Sequence, residues 1–158
     1  MAAGEALNES YPAVPESVPI ARRRLTGVAS AAGVGGERLQ EIRLAVSEAL
    51  TNAVVHAYRN GPPGSFHVIA AVTDGELWVL IGDDGLGMHA WNDSHGLGLG
   101  LSLISGLSDD MTIVTPASGG TEVQMRFDLS RGESSSPMIN HEGRAARRPR
   151  RPDLASRR

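Results

Sequence analysis

Three polar side chains recur at four-residue intervals between residues 37 and 58. They are Glu48, Asn52 and His56. In a helix, residues four apart lie about 40° from each other around the axis, so the three would form a ridge beside the apolar stripe. A carboxylate can accept a proton or orient a nucleophile, and an amide oxygen is a hard ligand suited to Mg²⁺. The spacing is typical of the rim of a reactive cleft or of a solvated helix face, and His56 also fits a structural bridge to a loop.

A second candidate site is the run DDGLGM at residues 83–88, which directly follows a predicted strand. An ionised carboxylate only accepts hydrogen bonds, so Asp83 could take the exocyclic amine of adenine. Glycines such as Gly85 and Gly87 let the backbone approach a flat base closely. A plain turn between strands would explain the Asp-Gly pair equally well.

The third candidate is the run GLGLGL at residues 96–101, which leads into a predicted helix. Alternating glycines at Gly96, Gly98 and Gly100 free backbone N–H groups to face phosphates, and the positive end of the helix adds to this. Leu101 stands where the last glycine of G-x-G-x-x-G would be, which argues against a Rossmann fingerprint. A flexible linker is the alternative, although linkers favour Ser over alternating Leu.

The apolar pattern around these motifs predicts three helices and four strands. Ile42 and Val46 fall on one stripe at about 100° per residue, which makes residues 37–58 the strongest helix. Asp74-Gly75 is a hairpin signal between two strands, and Gly119-Gly120-Thr121 opens the last strand. This order predicts an α+β two-layer sandwich with helices on one face of a mostly antiparallel sheet. The helices are predicted at 16–32, 37–58 and about 101–107, and the strands at 66–72, 77–81, 111–115 and 121–129.

Charge and composition divide the chain into three parts. Residues 1–15 are polar and are predicted to be a loose arm with a short edge strand, and 16–130 to be the domain. Residues 131–158 contain eight Arg and three acids with almost no apolar residues, and are predicted to be a disordered tail. Residues 1–130 contain seven Arg and fifteen acids. An acidic body of this kind is a poor general binder of nucleic acid.

Several classes of protein are excluded by residues that the chain lacks. There is no cysteine, so disulfide scaffolds, thiolate metal sites and cysteine nucleophiles are ruled out. Every basic residue is Arg, and without Lys a Walker A loop cannot form. We see neither a secretory signal nor an apolar run of about 20 residues, so we expect a cytoplasmic protein without membrane contact.

The order and spacing of the motifs resemble the GHKL ATPase superfamily over about residues 10 to 129. The pattern is E-x-x-x-N on a helix, D-x-G-x-G after a strand, G-x-G-x-G before a helix, and G-T before a final strand. The phrase EIRLAVSEALTNAVVHAY is most similar to the anti-sigma-factor serine kinases, including actinobacterial ATP-binding regulators. The resemblance implies the Bergerat fold, a two-layer α/β sandwich with a mostly antiparallel mixed sheet.

The resemblance also implies a role for each matching position. Glu48 corresponds to the general base or to the carboxylate that orients a water or hydroxyl, Asn52 to the Mg²⁺ ligand, and Asp83 to the carboxylate that recognises adenine. The remaining positions are Gly85, Gly87 and Met88 in the base pocket, Gly96, Gly98 and Gly100 with the adjoining Leu101 at the phosphates, and Thr121 at the adenine end.

The implied function is that of an ATP- and Mg²⁺-dependent protein serine/threonine kinase that phosphorylates a small antagonist protein and sequesters a sigma factor. The resemblance allows a homodimer. An ATP-binding sequestering module without turnover is the alternative. The ATPase half of a histidine kinase fits less well, because about 30 residues before the nucleotide helix cannot supply a phosphoacceptor hairpin. Only seven residues, none of them Arg, separate Met88 from Gly96, and they offer only His89 and His95 as cations. We therefore expect slow transfer.

Overall fold

Three helices and five strands make up the part of the chain that the computed structural model describes, which is residues 6–55, 61–62, 64–85 and 97–131. None of the helices described there is long and apolar enough to cross a membrane. The helices are α1 (Ser17–Ala31), α2 (Gly36–Val55) and α3 (Leu97–Leu107). The strands are β1 (Ala6–Pro12), β2 (Ser65–Thr73), β3 (Glu76–Asp83), β4 (Asp110–Val114) and β5 (Thr121–Asp128).

The strands form one sheet in the order β1-β2-β3-β5-β4, and all four of these pairings are antiparallel. The predicted hairpin between β2 and β3 is confirmed. Its two central residues, Asp74 and Gly75, have φ values of 52° and 78°, as a tight hairpin turn requires. The order places β3 and β5 side by side in the sheet, so the segments that carry Asp83 and Thr121 are neighbours.

The helices cover one face of the sheet, which confirms the predicted α+β sandwich. Along β3, Leu77, Val79 and Ile81 point to the helices and are buried, whereas Trp78 points to the other face and is 45% exposed. This alternation is expected when only one face of an antiparallel sheet is covered. The largest fully buried side chains lie between the two layers and include Leu25, Ile42, Leu50, Phe66, Ile104 and Phe127.

Strand β1 corrects the predicted N-terminal arm. Residues 6–12 are not loose but pair along their whole length with β2, as the expected edge strand. Leu7 is buried, and the ring of Tyr11 stacks on Phe66 with 5.5 Å between centroids. Arg24 on α1 donates to Glu9 on the same face. Side chains at alternate positions, Leu7, Glu9 and Tyr11, thus point to the same face and hold the segment against the rest of the domain. The predicted tail from residue 132 onward lies outside the described residues.

Arg38 is a buried residue that sequence reasoning did not single out. It is 4% exposed near the start of α2, and its Nε donates to the Asp128 carbonyl oxygen at 3.0 Å. Its Nη2 donates to the Asp109 carboxylate, and its Nη1 to the Leu107 carbonyl oxygen at 3.4 Å. The guanidinium also lies over the Phe127 ring, 5.6 Å from the centroid. Arg38 therefore ties the start of α2 to the last residues of α3 and β5.

Candidate nucleotide-binding site

Asp83 ends strand β3 in the middle of the sheet, between Phe66 on β2 and Thr121 on β5. Its side chain is buried, with 7% exposed. The N–H of Gly85 donates to its Oδ1 at 2.9 Å, and the backbone N–H of Thr121 also donates to the carboxylate. Burial raises the pKa of Asp83 despite these two hydrogen bonds. The arrangement holds a single acceptor group at the end of a buried strand, as the sequence motif predicts.

Thr121 begins strand β5 beside this carboxylate. It is 1% exposed, and its Oγ1 is buried without a hydrogen-bond partner among the residues that the structure describes. Buried polar atoms are nearly always paired in folded proteins, and leaving one unpaired costs about 1–3 kcal/mol. Within the described part of the chain, the hydroxyl beside Asp83 therefore still has a hydrogen bond to make.

The entry to β5 depends on two glycines in left-handed conformations. Gly119 and Gly120 have φ values of 92° and 85°, a region that side chains rarely adopt. A Cβ on Gly120 would also collide with the backbone of Asp83 and Asp84, with the Asp84 Cα only 3.1 Å away. The Gly-Gly-Thr signal, weak in the sequence, thus lets the β5 entry lie directly against the end of β3.

Asn52 lies in the second half of α2, one turn after Glu48. It is 2% exposed, and its Nδ2 has no hydrogen-bond partner among the described residues. An unpaired buried amide inside a helix is costly, because it gives up its hydrogen bonds to water. Among the described residues, Asn52 is therefore a second buried polar group that still has a hydrogen bond to make.

Asn52 and Thr121 lie towards the same end of the sandwich. The start of α2 is fixed at the last residues of β5, because Arg38 bonds the Asp128 carbonyl and lies over Phe127. From Arg38 to Asn52 the helix rises about 21 Å. From Phe127 back to Thr121 the strand spans about 20 Å. Since α2 packs over β3 and β5, the ridge of α2 comes level with the Asp83 end of the sheet.

Glu48 lies directly against the first turns of α3. It is half-buried, and a Cβ built on Gly100 would fall within contact distance of its carboxylate, 3.1 Å from Cδ. Gly98 lies in the first turn of the same helix, and Leu101 is half-buried and packs on the core. The structure thus brings a carboxylate of α2 to the end of the glycine-rich run.

The start of α3 corrects one prediction. The helix begins at Leu97 and not at about Leu101, so Gly98 and Gly100 are helical residues. Glycine is a poor helix former, which is why the pattern indicated a loop there. Packing of α3 through buried Ile104 and against α2 outweighs that preference. The other predicted positions Gly87, Met88, Gly96 and His56 lie outside the described residues.

A cavity of about 440 Å³ lies at the opposite end of the sheet and is separate from this site. It is bounded by the α1–α2 connection at residues 32–36, the hairpin residue Gly75, and Leu129 after β5. Its volume would admit a small ligand, but its lining combines glycine backbone and small or apolar side chains with Arg38, whose guanidinium is already bound. We therefore assign the candidate site to the Asp83 end.

Comparisons with known proteins agree with this geometry. The profile of the histidine kinase-like ATPase domain matches residues 11–127. The chain is 31% identical over 144 residues to the serine-protein kinase RsbW of Bacillus licheniformis, covering 82% of this chain and 89% of that protein. It is 26% identical over 135 residues to the anti-sigma F factor of Shouchella clausii, covering 78% and 92%.

A solved structure shows the same fold. The crystal structure of the RsbU and RsbW domains of a Mycobacterium tuberculosis protein superposes with a TM-score of 0.62 at 22% identity. The match covers 79% of this chain and 32% of that longer one, so this chain spans about a third of that protein. At this identity the likeness concerns the fold alone.

This chain belongs to the histidine kinase-like ATPase family. Among its relatives are anti-sigma factors and serine-protein kinases of the RsbW type. The resemblance read from the sequence is confirmed, and so is the predicted class of function, that of an ATP-using serine/threonine kinase of the anti-sigma type.

Proposed function

We propose that the protein binds Mg²⁺-ATP at the Asp83 end of the sandwich and transfers the γ-phosphoryl group to a Ser or Thr of a small antagonist protein. In the same proposal it sequesters a sigma factor when the antagonist is absent or phosphorylated. The observation that supports this most directly is that two buried polar groups, those of Asn52 and Thr121, have no hydrogen-bond partner among the described residues and lie at the end of the sheet that holds the Asp83 carboxylate.

The adenine end of the site is built on β3 and β5. Asp83 keeps its carboxylate as an acceptor for the exocyclic amine, and the Thr121 hydroxyl beside it has a hydrogen bond still to make. Gly85 follows at the strand end, where its lack of a side chain lets a flat base approach. Gly87 and Met88 would continue this pocket, as the family resemblance implies.

The donor set fits Mg²⁺ through Asn52. Mg²⁺ prefers oxygen ligands, and in kinase sites it is commonly held by one or two protein groups together with substrate phosphates and water. Asn52 offers an amide oxygen on a buried side chain, and its Nδ2, a hydrogen-bond donor without a partner among the described residues, would suit a phosphate oxygen beside the ion. When bound, the ion would neutralise charge on the phosphates. The role of this chain would be to place the Asn52 oxygen.

The reacting end of the site is formed by Glu48 and the start of α3. A half-buried carboxylate can accept the proton of an attacking hydroxyl if it is held within hydrogen-bond reach. The first turn of α3, with Gly98 and Gly100, presents backbone N–H groups that suit phosphate oxygens. Glu48 and the phosphates would therefore meet at the same helix terminus.

The proposed partners follow from the family, and the proposed rate of phosphoryl transfer follows from the sequence between Met88 and Gly96. The relatives are called an anti-sigma factor and serine-protein kinases, so we assign a sigma factor and an antagonist as partners and keep the homodimer as part of the proposal. Since the segment between Met88 and Gly96 contains no Arg, transfer should be slow. A sequestering module without turnover is the limiting case. The proposed setting is the cytoplasm.

Labelled ATP tests the proposal. The purified full chain is incubated with [γ-³²P]ATP, Mg²⁺ and a small antagonist protein encoded beside its gene. Label on a Ser or Thr of the antagonist, lost with the Glu48→Ala variant, supports the kinase. Tight ATP and sigma-factor binding without any label would leave only the sequestering module. Absence of ATP binding would contradict the proposed site altogether.

A further inference from the structure

We propose that Gly100 is a positioning residue whose missing side chain creates the space that the Glu48 carboxylate occupies. This inference deepens the proposed function and depends on it for the role of Glu48. In the family pattern the glycine-rich run is assigned to the phosphates. The structure gives the last glycine of the run a different task, directed at the proposed general base of α2.

The geometry leaves no room for a Cβ at position 100. Real Cβ atoms essentially never come closer than 3.0 Å to another heavy atom, and a Cβ on Gly100 would come well inside that limit to Oε1 of Glu48. It would also stand 3.1 Å from Cδ and 3.3 Å from Cγ of the same side chain. The overlap is with Oε1, and Cδ and Cγ are in tight contact, so the carboxylate would have to leave its present position to accept the methyl group.

The helix backbone around Gly100 is held in place, so the Glu48 side chain must be the part that moves. Gly100 is buried, and Ile104 one turn later is fully buried in the core. At the other end of α3, Arg38 donates to the Leu107 carbonyl oxygen at 3.4 Å, and the hydroxyl of Ser108 donates to the Ile104 carbonyl at 2.7 Å. A methyl group at position 100 would therefore push the carboxylate out of its place.

Gly106 supplies a matched control in the same helix. It also lies within α3, yet a Cβ there would meet nothing within 4 Å. Alanine is a better helix former than glycine at both positions, so the intrinsic effect of Gly→Ala is the same in sign. The two substitutions differ in what the new methyl group touches, which at position 100 is Glu48.

The kinetic test compares Gly100→Ala with Gly106→Ala in phosphoryl transfer to the antagonist. If Gly100 positions Glu48, Gly100→Ala lowers kcat by about tenfold or more, because general-base catalysis contributes about 10²–10⁴-fold and depends on geometry. KM for ATP should stay within about threefold, because a displaced base does not remove ground-state binding. Gly106→Ala should leave both constants near the wild-type values. Equal kinetics of the two variants would overturn the inference.

A stability measurement tests the contact even if the chain transfers no phosphate. Thermal unfolding is followed for both alanine variants, with Glu48 present and with Glu48→Ala. Alanine at position 100 should raise Tm less than alanine at 106 when Glu48 is present, and by a similar amount when Glu48 is replaced. Independence from Glu48 would refute the contact. Loss of ATP affinity in both backgrounds would also refute it, since the new methyl group would then disturb the phosphates and not Glu48.

Discussion

Asp83 and Thr121 face each other across β3 and β5, and Thr121 donates its backbone N–H to the Asp83 carboxylate while its own hydroxyl has no partner among the described residues. The backbone of Thr121 is therefore already bonded to Asp83, whereas its side chain still has a hydrogen bond to make. The sequence separation of the two residues is large, and only the β3–β5 pairing makes them neighbours.

Replacing Asp83 by Asn should weaken ATP and ADP binding, because the amide can no longer offer two equivalent acceptors to the adenine amine. We expect a loss of about 1–3 kcal/mol, measured by calorimetric titration. Asp84→Asn is the control, because Asp84 is the exposed neighbour of Asp83. This variant should bind nucleotide nearly as well as the wild-type protein. Unchanged affinity in Asp83→Asn would remove Asp83 from the adenine site.

Stability and nucleotide affinity should change with pH in opposite directions as Asp83 titrates. Burial raises the pKa of Asp83, so in the unfolded chain the group releases its proton first, near its ordinary pKa of about 3.9. Stability should therefore fall as pH rises from there to the raised value in the folded state. Nucleotide affinity should rise over the same window, because the amine needs an ionised acceptor. Both trends should be absent in Asp83→Asn.

Thr121→Val should separate stability from binding. Valine fills nearly the same volume and removes a hydroxyl that has no partner among the described residues, so the ligand-free protein should be at least as stable as wild type, by up to about 1 kcal/mol. The shift in Tm that saturating ATP produces should shrink, because the hydrogen bond to the ligand is lost. Thermal melts with and without ATP test this. A Tm that drops without ligand would show that the hydroxyl is already satisfied.

Glu48→Ala and Asn52→Ala should differ in kind, although the two residues lie one turn apart on α2. Glu48→Ala should abolish phosphoryl transfer and leave ATP affinity largely intact, since a base acts in the transition state. Asn52→Ala should weaken binding of ATP with Mg²⁺ by about tenfold, or roughly 1.4 kcal/mol, and affect metal-free ADP much less. Titrations with Mg²⁺ or EDTA distinguish them. Identical behaviour of the two variants would mean that Glu48 and Asn52 have a structural role and not the separate catalytic and metal-binding roles proposed.

Arg38 and Asp109 should matter for stability rather than for catalysis. Burial alone would raise the pKa of Asp109, but the N–H of Asp128 and the guanidinium groups of Arg131 and Arg38 outweigh it and hold the pKa below its ordinary value. The stabilisation is therefore complete above about pH 4 and is lost as pH falls through the lowered pKa.

Replacing Arg38 by Met leaves the partly buried Asp109 carboxylate and two carbonyl groups with fewer partners, so we expect a loss of up to about 3 kcal/mol. Chemical denaturation at pH 7 and pH 3 measures both effects. In the variant, the free energy of unfolding should fall less between pH 7 and pH 3 than it does in the wild-type protein. A stable variant with the wild-type acid response would show that this network contributes little.

Short-range chemistry made most of the site predictable. The E-x-x-x-N spacing requires only a helix, and the D-x-G-x-G run requires only a strand that ends before it. The hairpin turn at Asp74-Gly75 is likewise encoded in two adjacent residues. Such features depend on neighbours within four positions, and these are the ones that propensity and periodicity describe.

Long-range contacts explain what the sequence did not reveal. Arg38 reads as an ordinary polar helix residue, because its partners Asp109 and Asp128 lie far along the chain. Gly120 looks like any hairpin glycine until the end of β3 is placed against it. The early start of α3 goes against the low helix propensity of glycine and results from tertiary packing. None of these can be obtained from local pattern alone.

The slow transfer that we expect follows from the segment between Met88 and Gly96. Binding requires the base pocket and the metal ligand, whereas rate requires positive charge near the transferring phosphoryl group. In other phosphoryl-transfer systems a single Arg is worth about 10³–10⁵ in rate. The seven residues here contain only His89 and His95 as cations, and a histidine is only partly charged at neutral pH.

His95→Arg tests this directly, because it replaces a partial charge by a permanent one at the same position. In single-turnover assays with excess antagonist, the wild-type protein should transfer phosphate more slowly than about 1 s⁻¹. His95→Arg should be faster by about tenfold or more, and His95→Ala slower, with ATP affinity changed little in either. The matched control is Asn92→Ala, which leaves the charge of the segment unchanged. Wild-type transfer at ordinary kinase rates would show that this short segment needs no Arg to complete the catalytic site.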